Sequence, residues 1–342
     1  MWHKNHIIRS VLAPCLALSA LLGGGTAPAA AGEGGSATPG PDFKPGPRPG
    51  EGDGYGLGIG PGPGDGWGSG QGDGHVRATT GDPRDAGATI FTGEAFDTCL
   101  APSAATMRAW QGASPFGAAG VYIGGRARAC PNQPNLDSDW VKKVDAMGWK
   151  LIPIFVGSQS PCVRSDRKRG YLMSHNGSGD QGAEEGRTAV QDAKALGMTA
   201  HSAIYLDMEA YDNTRTRCAA TTLKFIQGWN RAVRAEGYLP GFYSSADSGI
   251  EHMEGARKAG REDLPGALWF ARWRVPPSVE GEKVLDKGAW QPHRRIHQYD
   301  GNVWRTYGGH RVHIDRNVMD APVAVIGDPG AGGGGLPPEP RP

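Results

Sequence analysis

The sequence predicts an α/β protein built as a single (β/α)8 TIM-type barrel, and three observations carry that prediction. Short apolar segments recur along the chain, each of a length that suits a strand. Amphipathic stretches closed by glycine lie between several of them, as helices would. The polar residues that end the apolar segments collect at their C-terminal ends, which in such a barrel form one rim. Strand and helix in alternation point to a parallel sheet closed on itself, with a doubly wound open sheet as the alternative.

Taken in order, the expected strands are "GEAFDTC", "AAGVYIGG", "KLIPIFVG", "SAIYLDME", "LPGFYSS", "ALWFARW", "RIHQYD" and "VHIDRNV". The helices with the clearest ends lie between them. "LDSDWVKKVDAMG" carries Asp137 as a cap and Gly148 as a stop. "GAEEGRTAVQDAKALGM" stops at Gly197, and "TTLKFIQGWNRAVRAEG" stops at Gly237. On this reading Asp97, Tyr122, Asp207, Glu209, Tyr243, Arg272, Gln298 and Asp315 all sit at or near strand C-termini. Any one of them has a structural explanation: Asp97 can cap a helix, Asp315 can pair with Arg311 or Arg316, and Tyr243 can be core. Their joint placement on one rim marks a candidate catalytic face.

The rest of the chain bounds the problem. It has 342 residues and a formal net charge of +1, so bulk electrostatics favours neither nucleic acid nor a membrane surface. Residues 1–31 read as a signal peptide: Lys4 and Arg9 precede an apolar run from Val11 to Leu22, followed by "TAPAAAG". That run is too short to span a bilayer, so the protein is expected to be secreted, extracellular or cell-wall associated. Residues 32–87 are dominated by glycine and proline and read as a disordered linker, since such a composition builds no core. The "GIGPGPG" inside it follows no strand and opens no helix, which excludes a dinucleotide loop. The barrel is expected over residues 88–326, with residues 327–342 a second disordered tail.

Of the five cysteines, Cys15 lies in the signal segment, leaving Cys99, Cys130, Cys162 and Cys218. An even number in an exported chain argues for disulfides, and four cysteines allow three pairings. Zinc is disfavoured because none of the four is at CxxC spacing. His293 and His297, and His310 and His313, flank expected strands and read as surface or hydrogen-bonded histidines, so no metal and no cofactor is expected. Trp269, Trp273, Trp290 and Trp304 lie near the later strands, where an aromatic wall can stack on a sugar or simply fill core.

The most informative stretch is "SAIYLDMEAYD". Apolar residues Ala203 to Leu206 fit a strand buried on both faces, and Asp207 and Glu209 follow at i, i+2. If the strand continues, both carboxylates leave one face with Cα atoms about 6.5 Å apart. Repulsion and lost solvation then split their pKa values, leaving one a proton donor, as glycosidic cleavage requires. The bland alternative has both acids capping a loop or pairing with Arg215 and Arg217.

With "FDTC", "GVYIGG", "LIPIFVG", "AIYLDMEAY", "GFYSS", "LWFARW", "HRRIHQY" and "IDRN" in that order, residues 90 to 322 resemble the DUF1906 family. This is a family of exported bacterial glycoside hydrolase-like domains related in fold to the GH25 lysozymes. The resemblance implies an Asp at the end of the first strand, an Asp-x-Glu at the fourth and an Asp at the last, which fall here on Asp97, Asp207, Glu209 and Asp315. It also implies substrate-lining roles for Tyr243 and Gln298, and Tyr122, Arg272 and Trp273 join them as candidate binding residues at the same rim. The cysteine pattern and the basic "VRSDRKRGY" loop are departures from a typical GH25 lysozyme.

The expected function is hydrolysis of β-1,4 bonds in cell-wall glycan (peptidoglycan), with retention, by a monomer. Glu209, nearer the mouth, is the expected general acid, its pKa raised by apolar surroundings and by Asp207. Asp207 is the expected nucleophile, or the group that orients a substrate N-acetyl. The alternative is a non-catalytic glycan-binding or wall-remodelling partner on the same barrel. Because loops after consecutive barrel strands are neighbours, the expected disulfides are Cys99 to Cys130 and Cys162 to Cys218.

Overall fold

The computed structural model describes residues 80–327; the signal segment, residues 32–79 of the expected linker and the tail from residue 328 lie outside the described residues. Eight strands close into one barrel in chain order. They are β1 (Ile90–Asp97), β2 (Phe116–Gly124), β3 (Lys150–Phe155), β4 (Ala203–Asp207), β5 (Leu239–Ser245), β6 (Ala267–Ala271), β7 (Arg295–Tyr307) and β8 (His310–Pro322). Helices α1 (Ala104–Trp110), α2 (Ser138–Ala146), α3 (Ser178–Ala195), α4 (Thr216–Ala235) and α5 (Glu251–Lys258) follow the first five strands in turn. The expected caps act as such: Asp137 accepts the Trp140 amide at 2.7 Å, and Gly148, Gly197 and Gly237 take positive φ where their helices stop.

The last quarter of the barrel departs from a uniform βα repeat. Strands β1 to β7 are parallel to their neighbours, but β8 runs antiparallel to both β7 and β1. The cause is local. Gly308 and Gly309, at φ 54° and 80°, join Tyr307 to His310 in a two-residue turn, and consecutive positive φ values reverse the chain as a primed hairpin turn does. A parallel eighth strand needs a crossover of a dozen residues or more, and two residues leave no room for one.

Inside the sheet the pleat sorts side chains into two layers. Ala95, Ala118, Ile152, Ile154, Ala203, Tyr205, Ala267, Trp269, Ile296, Met319 and Ala321 fill the barrel, while Phe96, Leu151, Ile204, Leu206, Phe242 and Phe270 face the helices. Two large rings take up much of the interior. A side chain at Gly241 would meet the Tyr205 ring at 2.3 Å, and one at Gly120 would come within 3.1 Å of Trp269. Tyr205 donates to the Pro322 carbonyl at 2.8 Å and Trp269 to Asn317 Oδ1 at 2.8 Å, so both polar tips are satisfied.

Outside, α3 and α4 pack at backbone distance because glycines line the crossing: a Cβ at Gly228 would lie 1.9 Å from the Gly179 carbonyl oxygen. At the end opposite the strand C-termini, residues 80–87 join the folded unit instead of the linker. They form a short 3-10 turn, Pro83–Ala86, and Arg294 donates to the carbonyls of Thr80 and Gly81 at 3.1 Å each. His201 Nδ1 meets the Ala86 carbonyl at 2.8 Å. Disulfides join Cys99 to Cys130 and Cys162 to Cys218, with Cα separations of 5.8 and 5.9 Å, tying the loop after β1 to that after β2 and the loop after β3 to the start of α4. Among the described residues no helix is long and apolar enough to cross a membrane.

Candidate active site

The inward register that fills the barrel also builds its mouth. One pleat beyond Ala95 stands Asp97, beyond Tyr205 stands Asp207, and beyond Ile296 stands Gln298. Tyr122 and Tyr243 join from β2 and β5. On β8, which runs the other way, the inward series Met319, Asn317, Asp315 rises to the same rim. Asp315 lands beside Asp97 as its register partner.

Asp97 is the hub. It is buried, and its Oδ2 accepts from Asn317 Nδ2 at 2.8 Å and from Gln298 Nε2 at 3.0 Å, with the Tyr122 hydroxyl 3.5 Å from Oδ1. Burial above all, then the charge of Asp315, pushes its carboxyl up to about 7 against the pull of these donors. Gln298 in turn accepts the Tyr243 hydroxyl and the Trp273 indole N–H, each at 3.0 Å. Burial likewise raises Asp315, opposed by the Asn302 amide, which donates to its Oδ1 at 2.5 Å.

The Asp207–Glu209 pair differs from the sequence expectation. The β4 ladder ends at Asp207, because Gln159 captures the chain beyond it. The Gln159 side chain donates to the Asp207 carbonyl at 3.0 Å and accepts the Glu209 amide at 2.9 Å. Asp207 is therefore the member in buried surroundings. It is 6 % exposed, its Oδ1 has no hydrogen-bond partner, and its carboxyl is held well above the usual range by burial first and by Glu209 second. The Glu209 side chain keeps 38 % of its surface and faces the Lys168 ammonium at 3.6 Å. Lys168 comes from the basic loop after β3, where its Nζ also donates to the Ala127 carbonyl at 2.8 Å. Apolar surroundings thus act on the aspartate, not on the glutamate.

The other expected residues divide. Tyr122, Tyr243, Trp273 and Gln298 surround the acids. Arg272 does not join them: its guanidinium bridges Asp247, after β5, and Glu282, in the loop after β6, with four contacts of 2.7 Å. Those contacts make it a clamp between rim loops. His297 holds the carbonyls of Ser278 and Arg272 at 2.8 and 2.9 Å, and His293 holds Asp320 at 2.8 Å. Asn317, Gln159 and Lys168 escaped the sequence reading. Asn317 had a signal, since it follows Asp315 at strand period two. The other two lie in loops whose approach to β4 no local pattern announces.

The fold is thus an eight-stranded α/β barrel whose mouth gathers carboxylates from its first, fourth and last strands. Residues 108–319 match the family described as Rv2525c-like, glycoside hydrolase-like domain, and the chain belongs to that family. No curated protein matches the chain. Among solved structures, the Tat-secreted protein Rv2525c of Mycobacterium tuberculosis in complex with L-tartrate is 15 % identical, with 67 % of this chain and 96 % of that one covered and a TM-score of 0.46. The modular autolysin LytC of Streptococcus pneumoniae is 14 % identical over 66 % of this chain and 46 % of its own, with a TM-score of 0.43. The spore cortex lytic enzyme SleM of Clostridium perfringens is 13 % identical over 67 % of each chain, with a TM-score of 0.40.

Proposed function

We propose that the protein is an exported, monomeric retaining glycosidase that cleaves β-1,4 bonds in cell-wall glycan, with peptidoglycan as the substrate. The observation that carries this reading is the buried, unpartnered Oδ1 of Asp207 at the floor of a mouth ringed by Asp97, Asp315 and Glu209. A carboxyl oxygen left without a protein partner there is free to meet water or a bound ligand. Burial, and after it the charge of Glu209, holds the Asp207 carboxyl well above the usual carboxylate range, so Asp207 keeps its proton to higher pH than a free aspartate does. Glu209, the exposed member, takes up the proton that Asp207 gives up and passes it to the leaving glycosidic oxygen as the bond breaks. Asp207, then ionised, attacks the anomeric carbon or holds the substrate N-acetyl group that does so. Water completes hydrolysis with Glu209 as base. Asp97 and Asp315 position the sugar, and Tyr122, Tyr243, Trp273 and Gln298 line it. The two disulfides suit an oxidising, extracellular setting.

One observation favours a second reading, a glycan binder without turnover: the Lys168 ammonium stands 3.6 Å from Glu209, so the expected acid already has an ion-pair partner. Dye release from purified cell walls, with mass spectrometry of the products, decides. Release of reducing β-1,4 fragments by the wild type, lost in Glu209→Gln, supports the glycosidase. Wall binding with no release across a panel of walls supports the binder.

A further inference from the structure

Two large apolar side chains near the acids stay in solvent: Trp273, 41 % exposed, and Trp304, 54 % exposed. Trp273 is tied to the mouth through Gln298, and its ring lies over Gly301, where a Cβ would meet it at 2.3 Å. Trp304 stands further out on the hairpin that β7 and β8 form beyond the barrel. Exposure alternates along both strands there. Asn302, Trp304 and Thr306 of β7, and Arg311 and His313 of β8, are exposed, while Val303, Tyr307, Val312 and Ile314 turn inward. The inner face is braced: Tyr307 meets the Trp110 ring of α1 edge-on at 5.1 Å, Trp110 donates to the His310 carbonyl at 2.9 Å, and Thr98 donates to the His313 carbonyl at 2.9 Å. A hairpin fixed at that many points presents its outer face as a firm surface.

That outer face continues the mouth. Asp315, His313 and Arg311 share one side of β8 at period two, so the strip runs about 13 Å outward from the Asp97 partner, room for more than one pyranose ring. Trp304 pairs across the strands with His313, ring to ring at 4.9 Å, and the Arg311 guanidinium lies 4.5 Å above the indole. Among the described residues no carboxylate pairs with Arg311. An aromatic platform beside an unneutralised, planar cation suits a sugar ring bearing a carboxylate, the ring on the indole and the carboxylate on the guanidinium.

We propose that the outer face of the β7–β8 hairpin, centred on Trp304 and Arg311, is a subsite for a long, carboxylate-bearing glycan, so that the protein engages its polymer along the chain. The inference rests on the glycan reading above, and its test separates the two. In full-length Glu209→Gln, chosen to limit turnover, binding of chitobiose, chitohexaose and soluble peptidoglycan strands with intact peptide stems is measured by calorimetry. The hexamer is expected to bind at least about tenfold more tightly than the dimer. Trp304→Ala is expected to remove that gain and Trp304→Phe to keep it. Arg311→Gln is expected to weaken the stem-bearing strands several-fold and to leave chitohexaose within about twofold. Retention of the length gain in Trp304→Ala, or equal binding of dimer and hexamer by the parent, overturns the subsite and leaves the glycan reading standing. An unchanged preference for stem-bearing strands in Arg311→Gln overturns the carboxylate recognition. Binding of none of the probes by the parent overturns both.

Discussion

Asp97 and Asp315 are register partners on two antiparallel strands, β1 and β8, so two carboxylates that repel each other stand side by side at the barrel mouth. Like charges directly opposite destabilise a sheet, and burial sharpens the effect.

The pH dependence of stability follows. Burial raises the Asp97 carboxyl from its ordinary 3.8 to about 7 in the folded chain, so between those limits the native state binds the extra proton. Stability therefore falls as pH rises from about 4 to about 7, and Asp207 and Asp315, also raised, add to the fall in the same direction. Asp97→Asn is expected to flatten that decline by up to about 1.4 kcal/mol per pH unit. Urea unfolding of both proteins at a series of pH values measures it. A decline equally steep in the variant would show that Asp97 is not held up.

Glu209→Gln is expected to lower turnover of wall glycan by about 10²- to 10⁴-fold, the range typical of a lost general acid. With an aryl glycoside whose leaving group needs no proton, the loss should be far smaller. Asp207→Asn should slow both substrates alike. The ratio of the two rates in each variant is the readout, and equal losses in Glu209→Gln would remove it from the acid role.

Two glycine-to-alanine changes should act in opposite directions. Gly255 lies exposed in α5 with open space where a Cβ would go, so Gly255→Ala should stabilise by about 1 kcal/mol through helix propensity alone. Gly228 in α4 enjoys the same propensity gain. Its Cβ, however, would sit 1.9 Å from the Gly179 carbonyl, and overpacking of about 1–3 kcal/mol outweighs it. Thermal melts should move up for the first and down for the second.

A chain beginning at residue 80 keeps the described segment that meets Arg294 and His201. One beginning at residue 88 deletes the Thr80, Gly81 and Ala86 carbonyls that meet Arg294 and His201, and should lose about 1–3 kcal/mol. Equal midpoints for both truncations would show that the segment contributes nothing.

Much of the barrel could be read from the chain because its apolar residues alternate at strand period and its helices stop at glycines. Tertiary neighbours decided what could not. "TYGGHR" holds a hairpin signal in its paired glycines, and it reverses the strand that a repeat of βα units predicts to run parallel. Asp315 reached the mouth all the same. It sits partway along an antiparallel strand whose register, set by that turn, brings it level with Asp97. The burial of Asp207 and exposure of Glu209 depend on Gln159, some fifty residues earlier, whose amide side chain holds the chain on either side of Met208. Two residues of one tripeptide met different surroundings because a distant loop turned the backbone between them.

The antiparallel β8 has a consequence for synthesis. Asp97 leaves the ribosome among the first residues of the barrel, while Asp315 and Asn317, its rim partner and one of its donors, leave among the last. Joining strands from opposite ends of the domain carries the largest loop-closure entropy of any pairing in the sheet. A nascent or N-terminal fragment, however much of α1 to α5 it contains, therefore lacks a complete acid cluster. The four acids share one rim only when the whole domain exists, and no partial chain holds them together.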